Sequence, residues 1–428
     1  MEPSPPALPI EIFDNILDHL WDDPHVLAAC GLASRMLLST SRFHLFNTIS
    51  LDDPAMHDLF CRLLKASPAV SPYVRHLSVD QRAVRRKGSP RRADLELILP
   101  KPPSALDRVH HLTLKNFSAL ELSMQSKLDI QASFPGVRTL SFMDCKFDAP
   151  LFVDVLHAFP KLSELHLHLV QVGDRRTLFN FSDPDVSVWL DNIPFTTMIP
   201  SSETLIQIDA LSTSLTSPIV GNLLSKSPFK LSPRRLEITC FPSQTRCVRA
   251  LLHTSGLSLE HATFSASSRN FLAKDTMPGD FLDFSCNKEL VSLHMNGVLI
   301  DTWFTPQSQW AHSALSSIGA SHESLREIQI DCMLLDCAQL PLLRWNRFDD
   351  QFARLAREHP GVKFTLRIRS SYAYHEQGVK FHVWAHQVVD AVGDSFPRLL
   401  AEKSRLLVAC YQARSPAEEV VSSFPQIL

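Results

Sequence analysis

The residues of this chain whose types suit chemistry are mainly histidines, and their spacing first raises the question of metal binding. His110 and His111 are adjacent, and His166 and His168 would lie on one face of a strand. Neither pair has a third ligand near it in the sequence, which a protein metal site needs. The favoured interpretation is that these histidines are exposed strand residues. We therefore expect no bound metal and no cofactor.

No motif of a catalytic site is present. The sequence contains no GxSxG, no phosphate-binding GxxxxGK[ST] or GxGxxG loop, and no HExxH. The segment 171–205 carries several aspartates, but none has a spacing to a partner that would make an acid–base pair. An active site there is the weakest alternative. We expect no catalytic residue and a protein that is not an enzyme.

The composition is that of an ordinary globular protein. Hydrophobic residues make up 45% and charged residues 20%, and 42 basic residues nearly balance 45 acidic ones. This balance predicts no nucleic-acid partner, and no apolar run is long enough to span a bilayer. The N-terminal sequence lacks the pattern of a secretory signal. Nine scattered cysteines, including Cys332 and Cys337, contain no CxxC, so we expect packed, reduced thiols in the cytoplasm or nucleus.

One strong run of positive charge lies at residues 82–92, around Gly88-Ser89-Pro90. A solvated loop is the simplest interpretation. A nuclear-import patch and a site for an acidic or phosphorylated ligand remain alternatives. The sequence leaves the function of this run open.

A short phrase recurs along most of the chain: apolar, two polar, apolar, one polar, apolar. Its central apolar residues are Leu77, Leu112, Leu140, Leu165, Ile208, Leu236, Ala262, Leu293 and Ile328, and Leu366 ends the series. Steps such as 28 and 25 residues fall in the range of leucine-rich repeats, which is about 20–29 residues. Each phrase predicts a short strand with one buried face. Proline before several phrases, as in Phe134-Pro135 and Phe159-Pro160, would end the preceding helix.

Such units bury their faces only against neighbours, which predicts an irregular solenoid. Asparagine is mostly absent from the turns after the strands, where we expect Cys145, Cys240 and Cys332 instead. The alternating polar residues would form the exposed concave face: Ser78, Thr113, Ser141, His166, Glu237, Thr263, His294, Gln329 and Arg367. Repeat proteins commonly bind partners with this face. Within it, the candidates for contact with a substrate are His166, His294, Gln329 and Arg367.

The first fifty residues predict three short helices. Pro9 suits a first helical turn, and Ile12, Ile16 and Leu20 recur every four residues on an apolar stripe. Asp22-Asp23-Pro24 ends this helix, and two further helical patterns follow. Three short helices bury little surface by themselves, so such a unit usually leans on a partner.

This region resembles the F-box. The matching elements are Leu8-Pro9-x-Glu11-Ile12, Ile16, Leu20, Cys30-x-Leu32-Ala33-x-Arg35 and Leu45-Phe46-x-x-Ile49-x-Leu51. An F-box docks a Skp-type adaptor, which joins it to a cullin-based ubiquitin ligase. The resemblance implies the following adaptor-binding residues: Leu8, Pro9, Ile12, Ile16, Leu20 and Leu32.

An F-box followed by degenerate leucine-rich repeats resembles the F-box families of mushroom-forming fungi. The expected fold is α/β: an F-box at 1–52, a connecting helix at 53–70, an irregular leucine-rich-repeat-like solenoid at 71–370 and a helical C-terminal cap at 371–428. The expected function is a substrate receptor of an SCF-type ubiquitin ligase that binds a protein substrate. The alternative is an interaction scaffold outside any ligase, in which the N-terminal helices cap the solenoid.

Overall fold

The structure is a computed structural model that describes residues 9–80, 106–119, 132–147, 149–172, 207–214, 230–240, 245–266, 282–300, 309–334, 345–370, 381–412 and 415–424. Some residues and segments discussed from the sequence lie outside these ranges: Leu8, the basic run 82–92, Cys337 and most of 171–205. The chain divides into two compact units, Met1–Ile206 and Gln207–Leu428. Helices and strands occur in both units, so the protein belongs to the mixed α/β class.

Three helices begin the first unit: α1 (Ile10–Asp18), α2 (Pro24–Ala33) and α3 (Arg35–Phe46). The side chain of Asp23 caps α2 by accepting hydrogen bonds from the backbone N–H groups of His25 and Val26. Ser34 caps α3 by accepting one from the backbone N–H of Met36. Helix α1 is tied to α3 by two side-chain bonds, because Thr40 donates to Asp14 and His44 lies 2.8 Å from Asp18.

The chain then enters the sheet earlier than expected. Strand β1 (Thr48–Leu51) belongs to the range assigned to the helical N-terminal domain, yet it pairs in parallel with β2 (His76–Asp80). Between them lie α4 (Pro54–Ala66), which Asp53 caps, and a 3-10 helix at Pro68–Tyr73. The range 53–70 therefore holds one helix and the start of another.

Five parallel strands form the main sheet of the first unit. After β1 and β2 come β3 (His111–Lys115), β5 (Thr139–Met143) and β7 (Glu164–His168). Leu112, Leu140 and Leu165 stand opposite one another in register, and each is 0% exposed. The predicted burial of these leucines in parallel strands of one sheet is confirmed.

A tight turn follows three of these strands at equivalent positions. Asn116, Asp144 and Leu169 have φ values of 56°, 54° and 54°, which is the left-handed region that asparagine and aspartate tolerate best. Each turn leads into a two-residue strand, and these strands form a second parallel sheet: β4 (Ser118–Ala119), β6 (Lys146–Phe147) and β8 (Gln171–Val172). Helix α5 (Ala149–His157) follows β6. The repeated turn explains why the sequence phrase recurs.

Cys145 lies in one of these turns, as expected. Its Sγ donates to the carbonyl oxygen of Leu114 in the preceding repeat at 3.2 Å, and burial raises the pKa of its thiol to about 12. The same expectation is wrong for two other cysteines. Cys240 is the last residue of a strand and Cys332 lies within one, because both strands are longer than the phrase indicated.

Seven parallel strands and one antiparallel strand form the sheet of the second unit: β9 (Gln207–Ser214), β10 (Lys230–Cys240), β11 (His261–Ala266), β12 (Ser292–Ile300), β13 (Glu327–Leu334), β14 (Lys363–Ser370), β15 (Leu406–Gln412) and β16 (Ser415–Phe424). The connections contain α6 (Thr245–Ser255), a 3-10 helix (Gly256–Ser258), α7 (Gln309–Ser317), α8 (Trp345–Glu358), α9 (Phe381–Asp394) and α10 (Pro397–Ala401). Leu293 and Ile328 are opposite each other and 0% exposed, as predicted.

Polar side chains join successive connections of this unit. Asn287 donates to the carbonyl oxygens of Leu252 and Gly256 at 3.0 and 2.8 Å. Arg354 in α8 donates to Leu315 and Ile318 at 2.8 and 2.9 Å. Each bond satisfies carbonyl groups at or just beyond the end of the preceding helix, which have no partner within that helix.

The C-terminal region is only partly helical. Helices α9 and α10 occupy its first part, but the expected cap of helices from 371 to 428 is wrong beyond them. There β15 adds a parallel strand and β16 pairs antiparallel with it. A short apolar run such as Leu406–Tyr411 fits a buried helix or a buried strand equally well by pattern, and pairing with β14 decides for the strand.

Candidate functional site

The N-terminal helices expose large apolar side chains at the residues that the F-box resemblance selects. Ile12 is 44% exposed, Ile16 50% and Leu32 89%. Pro9 is also exposed at the start of α1, and Leu20 is half-buried after its end. Within the three fully described helices, the buried side chains are Leu17, Leu27 and Ser41. Several large apolar side chains of these helices are therefore left exposed.

The exposed surface is wider than the resemblance indicated. Of 14 large apolar side chains exposed among the described residues, 10 lie in the first 66 residues. Those that lie outside the adaptor-binding set implied by the resemblance are Ile10, Trp21, Val26, Met36, Phe43, Met56 and Leu59. We call the whole set of 10, which includes Ile12, Ile16 and Leu32, the apolar helix surface. Contiguous exposed apolar patches are typical of protein interaction sites, whereas single exposed apolar residues are ordinary.

A row of polar residues crosses the sheet of the first unit. Ser78, Thr113, Ser141 and His166 stand opposite one another on adjacent strands, and all are half-buried. The alternation predicted for these strands therefore places His166 on the polar face of this sheet.

Histidines from neighbouring strands meet beside this row. The rings of His76 and His111 are 5.5 Å apart, and those of His111 and His166 are 6.5 Å apart and nearly parallel. Burial and the two neighbouring imidazoles lower the pKa of His111, and Glu164 offsets this only in part. His111 is thus held in its neutral form, in which its Nε2 lies 3.2 Å from Thr113 Oγ1.

His110 has a structural role instead. Its Nδ1 lies 3.2 Å from the carbonyl oxygen of Gly136 and its Nε2 lies 3.5 Å from the Arg75 guanidinium. In the neutral tautomer that carries its proton on Nδ1, His110 donates to the following repeat and accepts from the preceding one. His110 therefore links neighbouring repeats, whereas His111 belongs to the polar face of the sheet.

A second polar row crosses the sheet of the second unit. Glu237, Thr263, His294 and Gln329 are opposite one another in register, as the repeat phrase predicted. His294 Nε2 lies 3.9 Å from a carboxylate oxygen of Glu327.

The fourth substrate candidate, Arg367, is not in this row. Gln329 stands opposite Thr365, and Arg367 stands two residues further along β14, opposite Asp331. Arg367 therefore lies two residues outside the row. It still lies on the polar face, because side chains in a strand repeat their direction every second residue.

Arg367 and Arg369 both pack against one aromatic ring. Their guanidinium carbons are 4.9 and 5.1 Å from the ring centroid of Tyr411, whose side chain the sequence pattern had not singled out. Arg369 also donates to the Tyr411 hydroxyl at 3.3 Å, and that hydroxyl donates to Asp331 at 3.4 Å. Gln329 donates to the other Asp331 oxygen at 2.8 Å. The polar face at β13–β15 is thus a connected group of charged and aromatic side chains.

The described residues were also compared with the requirements of a metal site and of a membrane-spanning helix. In the stretches that the structure describes, no three or more His, Cys, Asp or Glu residues are placed to hold a metal ion. Cys332 is buried, and this burial together with the Asp331 carboxylate raises the pKa of its thiol. No described helix is long and apolar enough to cross a bilayer.

A scan against models of protein families finds no match to this chain, and a search of curated proteins finds none either.

Proposed function

We propose that this chain is the substrate receptor of a cullin-based, SCF-type ubiquitin ligase in the cytoplasm or nucleus. The N-terminal helices act as an F-box that binds a Skp-type adaptor, and a degenerate leucine-rich-repeat solenoid binds the protein substrate. The chain carries out no catalysis itself, because ubiquitin transfer belongs to other subunits of the complex.

The exposure of the apolar helix surface carries this proposal. The F-box resemblance singles out Ile12, Ile16 and Leu32, and all three are exposed. If these helices served only to cap the repeats, the same side chains would be expected to pack inwards. Leaving them exposed is costly unless a partner covers them, since removing apolar surface from water is the main favourable term in association.

The repeat geometry supports the assignment of the substrate-binding part. Parallel strands, each followed by a left-handed residue and a short second strand, recur in the first unit at equivalent positions. The turn cysteine or asparagine of a leucine-rich repeat corresponds here to Cys145, which bonds to the preceding repeat. The polar strand faces of both units carry hydrogen-bonding and charged side chains suited to a protein ligand.

The test is adaptor binding by the purified full-length chain, measured by calorimetry with a fungal Skp-type adaptor. The variant Ile16→Ala with Leu32→Ala should weaken binding by about 2 kcal/mol or more, the usual cost of truncating interface anchors. Leu257→Ala is the matched control, because Leu257 is 62% exposed but lies in the second unit. Its affinity should equal that of the wild type. No adaptor binding by the wild type, or equal binding by the double variant, would refute the F-box assignment.

Reconstitution separates a ligase from a scaffold. Adaptor, cullin, RING subunit and conjugating enzyme are supplied with the chain, and each is omitted in turn. Ubiquitin transfer should require every component, and elemental analysis of the purified chain should show no stoichiometric metal. A chain that binds the adaptor but never retains the cullin would be the interaction scaffold.

A further inference from the structure

Four cations lie close together on the polar face of the second unit. Lys363, Arg367 and Arg369 alternate along β14 with side chains that are fully buried. Arg405 directly precedes Leu406, which stands opposite Phe364, so Arg405 is placed beside Lys363 on the neighbouring strand. We call these four residues the basic patch. Lys363, Arg369 and Arg405 are exposed and Arg367 is half-buried.

The two central arginines are held in position before any ligand arrives. Both guanidinium groups lie about 5 Å from the ring centroid of Tyr411, whose side chain is only 8% exposed. A guanidinium held against an aromatic ring keeps N–H groups available for a planar, two-point contact with an acid. Less side-chain freedom is then lost on binding.

Asp331 stands opposite Arg367 but forms no ion pair with it. Asp331 accepts hydrogen bonds from Gln329 and Tyr411, which are both uncharged. Among the side chains that the structure describes, neither Arg367 nor Arg369 is within ion-pair distance of a carboxylate. Other arginines of this unit do form such pairs, for example Arg354 with Glu358 at 2.8 Å.

Strand register places further acids near this group. Glu327 in β13 stands opposite Lys363, and Glu419 in β16 stands opposite Tyr411. With Asp331, which stands opposite Arg367, three acidic residues are placed beside four basic ones, so the patch retains an excess of one positive charge.

From this arrangement we infer that the basic patch binds an extended acidic segment of a protein partner, in which aspartates or glutamates at alternate positions pair with Arg367 and Arg369. The spacing supports this occupant. Alternate residues of β14 are about 6.6 Å apart, and alternate residues of an extended peptide have the same separation. A carboxylate accepts two parallel hydrogen bonds from a guanidinium, which makes this pairing specific as well as strong. As a statement about a ligase substrate, the inference rests on the proposed function.

The probe is a fluorescent peptide that alternates glutamate and serine, added to the full-length chain and followed by anisotropy. A peptide with glutamine in place of glutamate is the charge control. The glutamate peptide should bind, its affinity should fall steeply as sodium chloride rises, and the glutamine peptide should not bind. Arg367→Ala with Arg369→Ala should lower the affinity at least about tenfold, the effect expected for losing hydrogen bonds to a charged group.

Two variants separate a specific site from general charge attraction. Arg347→Ala with Arg357→Ala removes the same two charges from exposed positions on helix α8, and its peptide affinity should match the wild type. Arg367→Lys with Arg369→Lys keeps the charge but loses the two-point geometry, so affinity should be intermediate. Thermal unfolding shows whether the alanine variant is folded. If it is not folded, the peptide affinity of the lysine variant tests the inference instead.

Several results would overturn the inference. Equal loss of affinity in the Arg347/Arg357 alanine control and in the Arg367/Arg369 alanine variant would show that only net charge matters. Binding of a phosphoserine peptide but not of the glutamate peptide would show that the ligand is phosphorylated. Adaptor affinity is measured on the same preparation: a chain that binds the adaptor but not the peptide refutes only this inference. A chain that binds the peptide but not the adaptor refutes only the proposed function.

Discussion

Replacing Leu165 by alanine should destabilise the first unit strongly. Leu165 is 0% exposed in β7 and stands opposite Leu140, which is also 0% exposed. Losing the side-chain carbons beyond Cβ costs about 2.4 kcal/mol in transfer free energy, at about 0.8 kcal/mol per buried carbon. The hydrogen-bonded backbones of the neighbouring strands limit collapse into the space left behind, which adds a cavity cost. We expect a total of about 3 to 4 kcal/mol.

Urea unfolding followed by circular dichroism measures this change. With the usual slopes, the loss corresponds to a midpoint about 1 M or more lower for the part of the transition that reports on the first unit. His166→Ala is the matched control, because His166 is the next residue of the same strand but is only half-buried on the polar face. Its cost should stay within about 0.5 kcal/mol. Combining Leu165→Ala with Leu140→Ala should deviate from additivity, since these side chains are direct neighbours.

Equal costs at the two positions would refute the reasoning. Such a result would mean that the inward and outward faces of β7 are not as assigned, because a shift of one residue exchanges all side chains between faces. The same shift would displace His166 from the polar row.

Three further predictions concern polar groups that the fold brings together. Arg354→Met keeps the aliphatic stem but removes one donor from each of two carbonyl groups around the end of α7, and should lower the free energy of unfolding by about 2 kcal/mol in a urea titration. Asp349→Ala should cost a similar amount, about 2 kcal/mol, because this buried carboxylate accepts from the backbone N–H groups of Arg398 and Leu399; a cost near zero would contradict the capping role. The pKa of His111 is lower in the folded chain than in the unfolded chain, so the unfolded chain takes up the proton more readily. The free energy of unfolding should therefore fall as the pH drops below about 6.5. In the variant His111→Gln, the thermal unfolding temperature should depend less on pH in that range.

The sequence alone determined which residues of the repeats face inwards. Alternation of apolar and polar residues is a local property of a strand, so Leu112, Leu140 and Leu165 could be assigned to the core without knowing what packs against them. Asparagine, which tolerates a left-handed turn, is present at Asn116 but not at the equivalent positions 144 and 169. Turns that use aspartate or leucine, as at Asp144 and Leu169, leave no comparable signal.

Only the tertiary structure decided register over longer distances. Leu366-Arg-Ile368 resembles the repeat phrase, yet Phe364 is the residue opposite Ile328. A slip of two residues keeps every side chain on the same face, so the alternating pattern cannot detect it. The contact of Arg367 and Arg369 with Tyr411, some 40 positions further along the chain, depended on this register and could not be anticipated.

The same distinction applies to the N-terminal helices. The sequence predicted three short helices with an apolar stripe on the first of them, and named Ile12, Ile16 and Leu32 through a resemblance. It could not determine which apolar side chains the rest of the unit would cover, since helix periodicity is equally compatible with burial against the same chain or against a partner. That choice is made by packing: Leu17 and Leu27 are buried, and the apolar helix surface stays exposed because no described part of the first unit lies over it.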